Sequence, residues 1–191
     1  QNPAGEPLAK SVPFEMTTHE DTRVDEYYWM RDRENPEVIE YLNAENAYRE
    51  KIMKSTEPLQ ERLYEEIVGR IKKDDSSVPY ELDGYFYYTR FNADSEYPLY
   101  CRKKGSLESE EEVLLDVNEL AKGHDYYQVT GLSMHPSNQK ISFGVDTVSR
   151  RIYTLYTKDL VTGAIDLISE TECTGGSTWS ADGNFLFYTV K

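Results

Sequence analysis

The segment GLSMHPSNQKISFGVD, starting at Gly131, lies over GSTWSADGNFLFYTVK, starting at Gly176, without a gap. The offset is 45 residues, 176 minus 131. In both copies an apolar residue, Met134 or Trp179, precedes a turn of the form HPSN or SADG, and the same alternating strand follows. A period of about 40 to 50 residues, filled by about four short strands, is that of a β-propeller blade. Such a unit buries its apolar face only against a neighbour, so the repeat constrains the whole chain.

Strand-like runs with turn residues between them fill the rest of that region: YFYYTRF after Asp83-Gly84, YPLYCRK, EEVLLDV, RIYTLYTKDL and AIDLIS. They predict one blade over residues 80–128, a second over 129–172 and the start of a third over 173–191. A closed propeller needs at least four blades, and the chain stops in mid-strand at Thr189-Val190-Lys191. The expectation is therefore the N-terminal part of a longer protein, with open strand edges that invite self-association or strand exchange.

Before the strands, residues 35–73 read as helix. Asn35 can cap, Pro36 fits the first helical position, and Val38, Leu42, Tyr48 and Ile52 recur at helical spacing. A second helix opens at Thr56-Glu57-Pro58 and carries Leu59, Leu63, Ile67 and Ile71 four residues apart, with Lys72 and Lys73 placed to meet its C-terminal dipole. The spacing predicts an antiparallel pair whose two apolar stripes need a further surface. The fold class expected is α+β but mainly β, with residues 1–73 as N-terminal extension and helical segment and 74–191 as partial propeller.

The pentapeptide GGSTW at Gly175–Trp179 approaches the G-x-S-x-G elbow of serine hydrolases, but Trp179 stands where the strained turn needs glycine. His19, His124 and His135, the three histidines, all precede Ser177, whereas the elbow's acid and histidine follow it in the chain. The repeat assigns Ser177 to a strand entering a blade. Cys101 and Cys173 form no metal pattern and read as two buried thiols, and neither metal nor cofactor is expected. The formal charge of -14 disfavours nucleic acid and favours cationic ligands. Glu108-Ser109-Glu110-Glu111-Glu112 reads as a solvated acidic turn. No apolar run reaches the roughly 18 residues of a membrane span, and QNPAGEPLAK at the start has neither Met nor an apolar stretch, so either a leader has been removed or the sequence begins inside a longer protein. Trp29 with Tyr27 and Tyr28 reads as packing against an absent surface, and His124 and His135 as exposed loop residues.

Several segments carry a resemblance. Val24-Asp25-Glu26-Tyr27-Tyr28-Trp29-Met30-Arg31-Asp32 and NPEVIEYLNAENAY resemble the N-terminal signature of the prolyl oligopeptidase family of serine peptidases, most closely its oligopeptidase B branch. GRIKKDDSSVPYELDGYFYYTRF, SEYPLYCRKKG, EEVLLDVNELAKGHDYY and DTVSRRIY, from Asp146, are similar to segments of that branch in the same order.

The resemblance implies a seven-bladed propeller covering an α/β-hydrolase domain around which the N-terminal helical segment wraps. It implies acyl transfer by a Ser-Asp-His triad and cleavage of short peptides after Arg or Lys, with the propeller gating access. None of the triad maps onto this chain, so the chain alone is expected to be inactive. The implied partners are short basic peptides and the C-terminal hydrolase domain of the same protein, with no nucleic acid and no membrane, in the cytoplasm or, after removal of a leader, the periplasm. Arg150 and Arg151, a dibasic pair between two strands, are candidates for an interdomain ion pair that breaks and forms on closure, with Asp146 anchoring them locally; the plainer reading is a solvated hairpin turn. The alternative to an enzyme is a non-catalytic propeller that binds a protein partner.

Overall fold

A computed structural model describes residues 5–190, the side chains of Glu170 and Thr171 excepted. Two compact units divide the chain, Gln1–Ile71 and Lys72–Lys191.

The first unit opens with a hairpin that the sequence reading missed. Strands β1 (Phe14–Thr18) and β2 (Asp21–Asp25) pair antiparallel, Phe14 facing Asp25 and Thr18 facing Asp21. Both turn residues, His19 and Glu20, have positive φ, 51° and 65°, the two-residue geometry that matches strand twist. Neither is the Asn or Gly that usually announces it. Tyr28 then stacks on Phe14 with ring centroids 4.0 Å apart. Trp29, expected to await an absent surface, is partly covered by its own chain: its indole N–H donates to the Lys10 carbonyl at 3.0 Å, and the Lys10 ammonium lies 5.5 Å from the ring centroid.

Helix α1 (Pro36–Met53) begins where Asn35 accepts the Glu37 N–H at 2.9 Å, with Pro36 in the first turn. Helix α2 is Glu57–Gly69. The expected antiparallel pair does not form. A single 3-10 turn, Lys54–Thr56, joins the two helices with right-handed dihedrals throughout, and each packs on that turn rather than along the other. No glycine is present there to reverse the chain, while Pro58 lacks an N–H and crowds the Lys54 carbonyl, which tightens the helix without ending it. Leu59, Leu63, Ile67 and Ile71 consequently stay 45%, 45%, 59% and 60% exposed. Ile71, Lys72 and Lys73 lie beyond the end of α2 at Gly69, so neither lysine meets its last turn.

The second unit is built from strands joined by turns, with one short helix between its two sheets. β3 (Tyr80–Leu82), β4 (Tyr85–Arg90), β5 (Leu99–Lys104) and β6 (Glu111–Asp116) form an antiparallel meander in chain order. A short helix α3 (Val117–Leu120), capped by the Asp116 carboxylate, leads onward. β7 (Gln128–Met134), β8 (Lys140–Asp146), β9 (Tyr153–Asp159), β10 (Ile165–Trp179) and β11 (Leu186–Val190) form a five-stranded sheet, again in chain order. Two four-stranded meanders in succession, the second running into another hairpin, are the open start of a propeller.

The 45-residue repeat is visible in the backbone. His135 donates its N–H to Lys140 and Asn138 donates to His135; at the offset, Ser180 donates to Phe185 and Gly183 to Ser180. Asn138 and Gly183 share positive φ, 58° and 74°. Tyr87, Leu114, Leu115 and Val117 of the first sheet and its following helix are buried together with Ile141, Phe143 and Val145 of the second. Each large apolar side chain buried this way contributes about 1.5–3 kcal/mol, so this layer dominates the stability. Arg102, only 4% exposed, aligns the sheets: it donates to Glu112 at 2.7 and 3.0 Å and to the Asn138 carbonyl at 2.9 Å, and it lies 4.2 Å from the Tyr85 ring centroid.

The boundary expected between residues 172 and 173 falls inside β10. The first half of that strand pairs with β9 and the second with β11, and Cys173 belongs to both ladders, facing Tyr153 and Val190. The crossing is possible because three backbones meet without side chains. A Cβ on Gly144 would come within 2.5 Å of Gly175 Cα, and one on Gly131, whose φ is +62°, would strike the Gly175 carbonyl. Gly144→Ala should therefore lose about 1–3 kcal/mol, the usual cost of overpacking, whereas Gly176→Ala, with nothing within 4 Å of the new methyl, should be close to neutral. Urea unfolding midpoints of the two variants check this, and equal losses would remove the steric explanation.

Candidate functional site

β8 is buried along nearly its whole length and ends in Asp146, whose side chain is 0% exposed. One carboxylate oxygen accepts the Val148 N–H at 2.8 Å, and the other accepts the N–H groups of Arg150 at 3.0 Å and Arg151 at 2.7 Å. Asp146 thus grips the backbone beneath the dibasic pair. Ser149 and Arg151 take left-handed φ values of 58° and 56°, and Arg150 and Arg151 are both exposed. The structure brings the three candidates into one loop.

Strand alternation fixes where that loop lies. The Arg102 contact to Asn138 sets the β7–β8 turn beside the end of the first sheet marked by Gly84 and Gly105. The β8–β9 loop is at the opposite end. That is also the end at which the chain enters the first sheet, where Ser76 bridges to Arg90.

Ser177 has no catalytic surroundings. It faces Tyr188 across the β10–β11 ladder, and its hydroxyl shares a 2.8 Å hydrogen bond with that of Ser142 on β8. His124 is exposed, with its ring 5.2 Å from that of Tyr127. His135 departs from the expected exposed loop residue. Its Nδ1 accepts the Ser137 backbone N–H at 3.0 Å, which leaves Nε2 to donate to the Gly183 carbonyl at 3.0 Å. The ring also meets Trp179 edge-on at 4.7 Å, and the Trp179 indole N–H donates to the Ser133 carbonyl at 3.3 Å. His135 therefore seams the turns of two adjacent repeats, a role that only the 45-residue offset hints at.

The acidic run is not one solvated turn. Glu108 to Glu110 form the turn, but Glu111 and Glu112 are on β6 and, pointing to opposite faces of the pleat, each hold an arginine. Glu112 holds Arg102, and Glu111 accepts from Arg90 at 2.8–3.1 Å and from the Tyr88 hydroxyl at 2.5 Å. The Arg90 guanidinium, then the Tyr88 hydroxyl, holds the Glu111 carboxyl down to about 2 against the opposing effect of burial. Beneath this pair, burial and the Glu111 charge push the Cys101 thiol up to about 11. Cys173 is buried elsewhere, its thiol donating to the Tyr153 carbonyl at 3.1 Å. Among the described residues, no group of three or more His, Cys, Asp or Glu is arranged to hold a metal ion, and no helix is long and apolar enough to cross a membrane.

Antiparallel meanders in chain order, with the β7–β8 hairpin repeated 45 residues on by β10–β11, define the β-propeller class. Residues 6–191 match the prolyl oligopeptidase N-terminal β-propeller domain, and the chain belongs to that family. It is 41% identical to dipeptidyl aminopeptidase BI of Pseudoxanthomonas mexicana and 36% identical to protease 2 of Moraxella lacunata, in each case over 96% of this chain and 28% of the relative. The structure of oligopeptidase B from Leishmania major is similar at a TM-score of 0.84 and 29% identity, over 97% of this chain and 29% of that one. The chain thus spans less than a third of the length of each of these three proteins.

Glu111 ordinarily titrates near 4.5 and is lowered to about 2 when folded, so its stabilisation is present above about pH 4.5 and is lost as pH falls toward 2. The stability gap between the native chain and Glu111→Gln should shrink between pH 6 and pH 3 in urea titrations; a constant gap would exclude the carboxylate as its source. Cys101 should resist iodoacetamide at pH 8 in the folded protein and react on unfolding, as read by peptide mass spectrometry.

Proposed function

We propose that the chain is the N-terminal helical and propeller part of a serine oligopeptidase that cleaves short peptides after Arg or Lys. The propeller gates an α/β-hydrolase active site carried elsewhere in the whole protein. The observation that carries this reading is the match across residues 6–191, together with the likeness to oligopeptidase B and protease 2. A formal charge of -14 supports cationic substrates, since a surface of one sign concentrates the opposite charge.

In this reading the exposed stripe of Leu59, Leu63 and Ile67 packs on the hydrolase domain, burying surface that the first unit leaves open. Arg150 and Arg151, at the blade end where the chain enters the propeller, form ion pairs with that domain when the two parts close. Asp146 already holds three backbone N–H groups of their loop, which lessens the ordering entropy that opposes the contact. The open β11 edge, with Phe187 63% and Tyr188 39% exposed, is covered by further blades in the whole protein and drives self-association when it is not.

The 41% identity to a dipeptidyl aminopeptidase favours one second reading, release of dipeptides from free N-termini. Fluorogenic Arg peptides with blocked and with free N-termini separate the two: the whole protein should hydrolyse the blocked one, and the 191-residue chain neither. Hydrolysis of the free-amine substrate alone would establish the exopeptidase, and silence on both would leave a binding scaffold. Arg151→Ala in the whole protein should lower kcat about two- to tenfold with an unchanged Tm; unaltered kinetics would remove the gating role.

A further inference from the structure

We propose that the Arg150–Arg151 peptide bond is a latent processing site, and that the buried Asp146 carboxylate guards it by holding the loop in a form that peptidases of basic specificity cannot cut. A serine peptidase takes its substrate as an added strand and pairs with the main chain of the residues just before the bond that breaks. For cleavage after Arg150 the residues concerned are Arg150 itself and Val148, two positions before it. Their N–H groups are the ones Asp146 holds, at 3.0 and 2.8 Å, and the same carboxylate holds the N–H of Arg151, on the leaving side, at 2.7 Å.

The dihedral angles close the same door. Ser149 and Arg151, on either side of Arg150, have φ of 58° and 56°, whereas an extended strand needs about −120° to −140°. Both residues would have to cross out of the left-handed region before the bond could enter an active site. The side chains themselves are no obstacle, because Arg150 and Arg151 are exposed. Recognition elements are therefore displayed while the backbone is withheld.

The reaction withheld is ordinary hydrolysis. Water would add across the bond, its hydroxyl going to the Arg150 carbonyl carbon and its proton to the Arg151 nitrogen, leaving a carboxylate and an ammonium. The halves would not separate at once, since β8 and β9 remain paired from Val145 facing Thr154 to Lys140 facing Asp159. In consequence a nick would go unnoticed in the size of the particle.

The test is limited digestion of the whole protein by trypsin, with the rate at each basic bond followed by mass spectrometry. Asp146→Asn replaces an oxygen acceptor with an amide donor facing the loop N–H groups, and should speed cleavage at Arg150–Arg151, and with it at the adjoining Arg151–Ile152 bond, at least tenfold while leaving basic bonds outside the loop unchanged. Ser149→Pro cannot adopt positive φ and should do the same without touching the buried carboxylate. If Asp146→Asn opens the whole domain, all basic bonds accelerate together and Ser149→Pro decides. Acceleration confined to the bonds after Arg150 and Arg151 supports the guard, and no acceleration at Arg150–Arg151 in Ser149→Pro overturns it. Native protein cut at this bond as fast as either variant also overturns it. Because trypsin is supplied, the result does not depend on the protein's own specificity, which the Arg-peptide assay reads separately.

Discussion

The close approach of three backbones at Gly131, Gly144 and Gly175 is the constraint on which the second unit is built. Strand β10 can leave its partner β9 and pass beside β7 only where no Cβ intervenes, and the bulges on either side of Cys173 absorb the change of direction. Once the crossing is made, β10 and β11 repeat the geometry of β7 and β8 at 45 residues' remove. Their turns then meet side by side. His135 and Trp179 seal that meeting, while the opposite ends of the same strands carry the β8–β9 loop away from it.

Charge in this molecule is spent largely on architecture. Glu111 and Glu112 each hold an arginine across the first sheet, and Asp116, Asp146, Asp159 and Asp182 each accept backbone N–H groups at the end of a strand or in a turn. The Thr162 backbone N–H and hydroxyl hold the Asp159 carboxyl below the usual carboxylate range, and the Ser180 hydroxyl, then the Asn184 backbone and side-chain N–H groups, hold that of Asp182 down to about 2. The excess of acidic residues is thus partly a requirement of a fold made of short strands and tight turns. Only the remainder is available to attract a cationic ligand.

Local patterns were legible where one residue type has one physical use. Asn35-Pro36 marked the start of a helix, and alternation around Asp83-Gly84 marked a hairpin, because capping and left-handed turns depend on those side chains or on their absence. The His19-Glu20 turn was not legible, since neither residue carries that signal and the strands around it are only five residues long. The helix pair was misread for the complementary reason: two apolar stripes indicate faces to be covered, but the direction of the joint depends on backbone angles at Lys54–Thr56. The acidic run was misread because sequence does not say which carboxylate lies opposite an arginine on the neighbouring strand.

The sequence by itself determined the repeat, and with it the propeller class, because a period of 45 residues with alternating strands admits few ways of burying its apolar faces. It also put Arg150, Arg151 and Asp146 within six residues of one another. Tertiary structure alone decided what those three do. Whether Asp146 faces solvent or the interior, and whether it takes hold of guanidinium groups or backbone N–H groups, depends on the burial of β8 between its neighbours and on the left-handed angles at Ser149 and Arg151. Those are properties of packed strands, absent from any one of them.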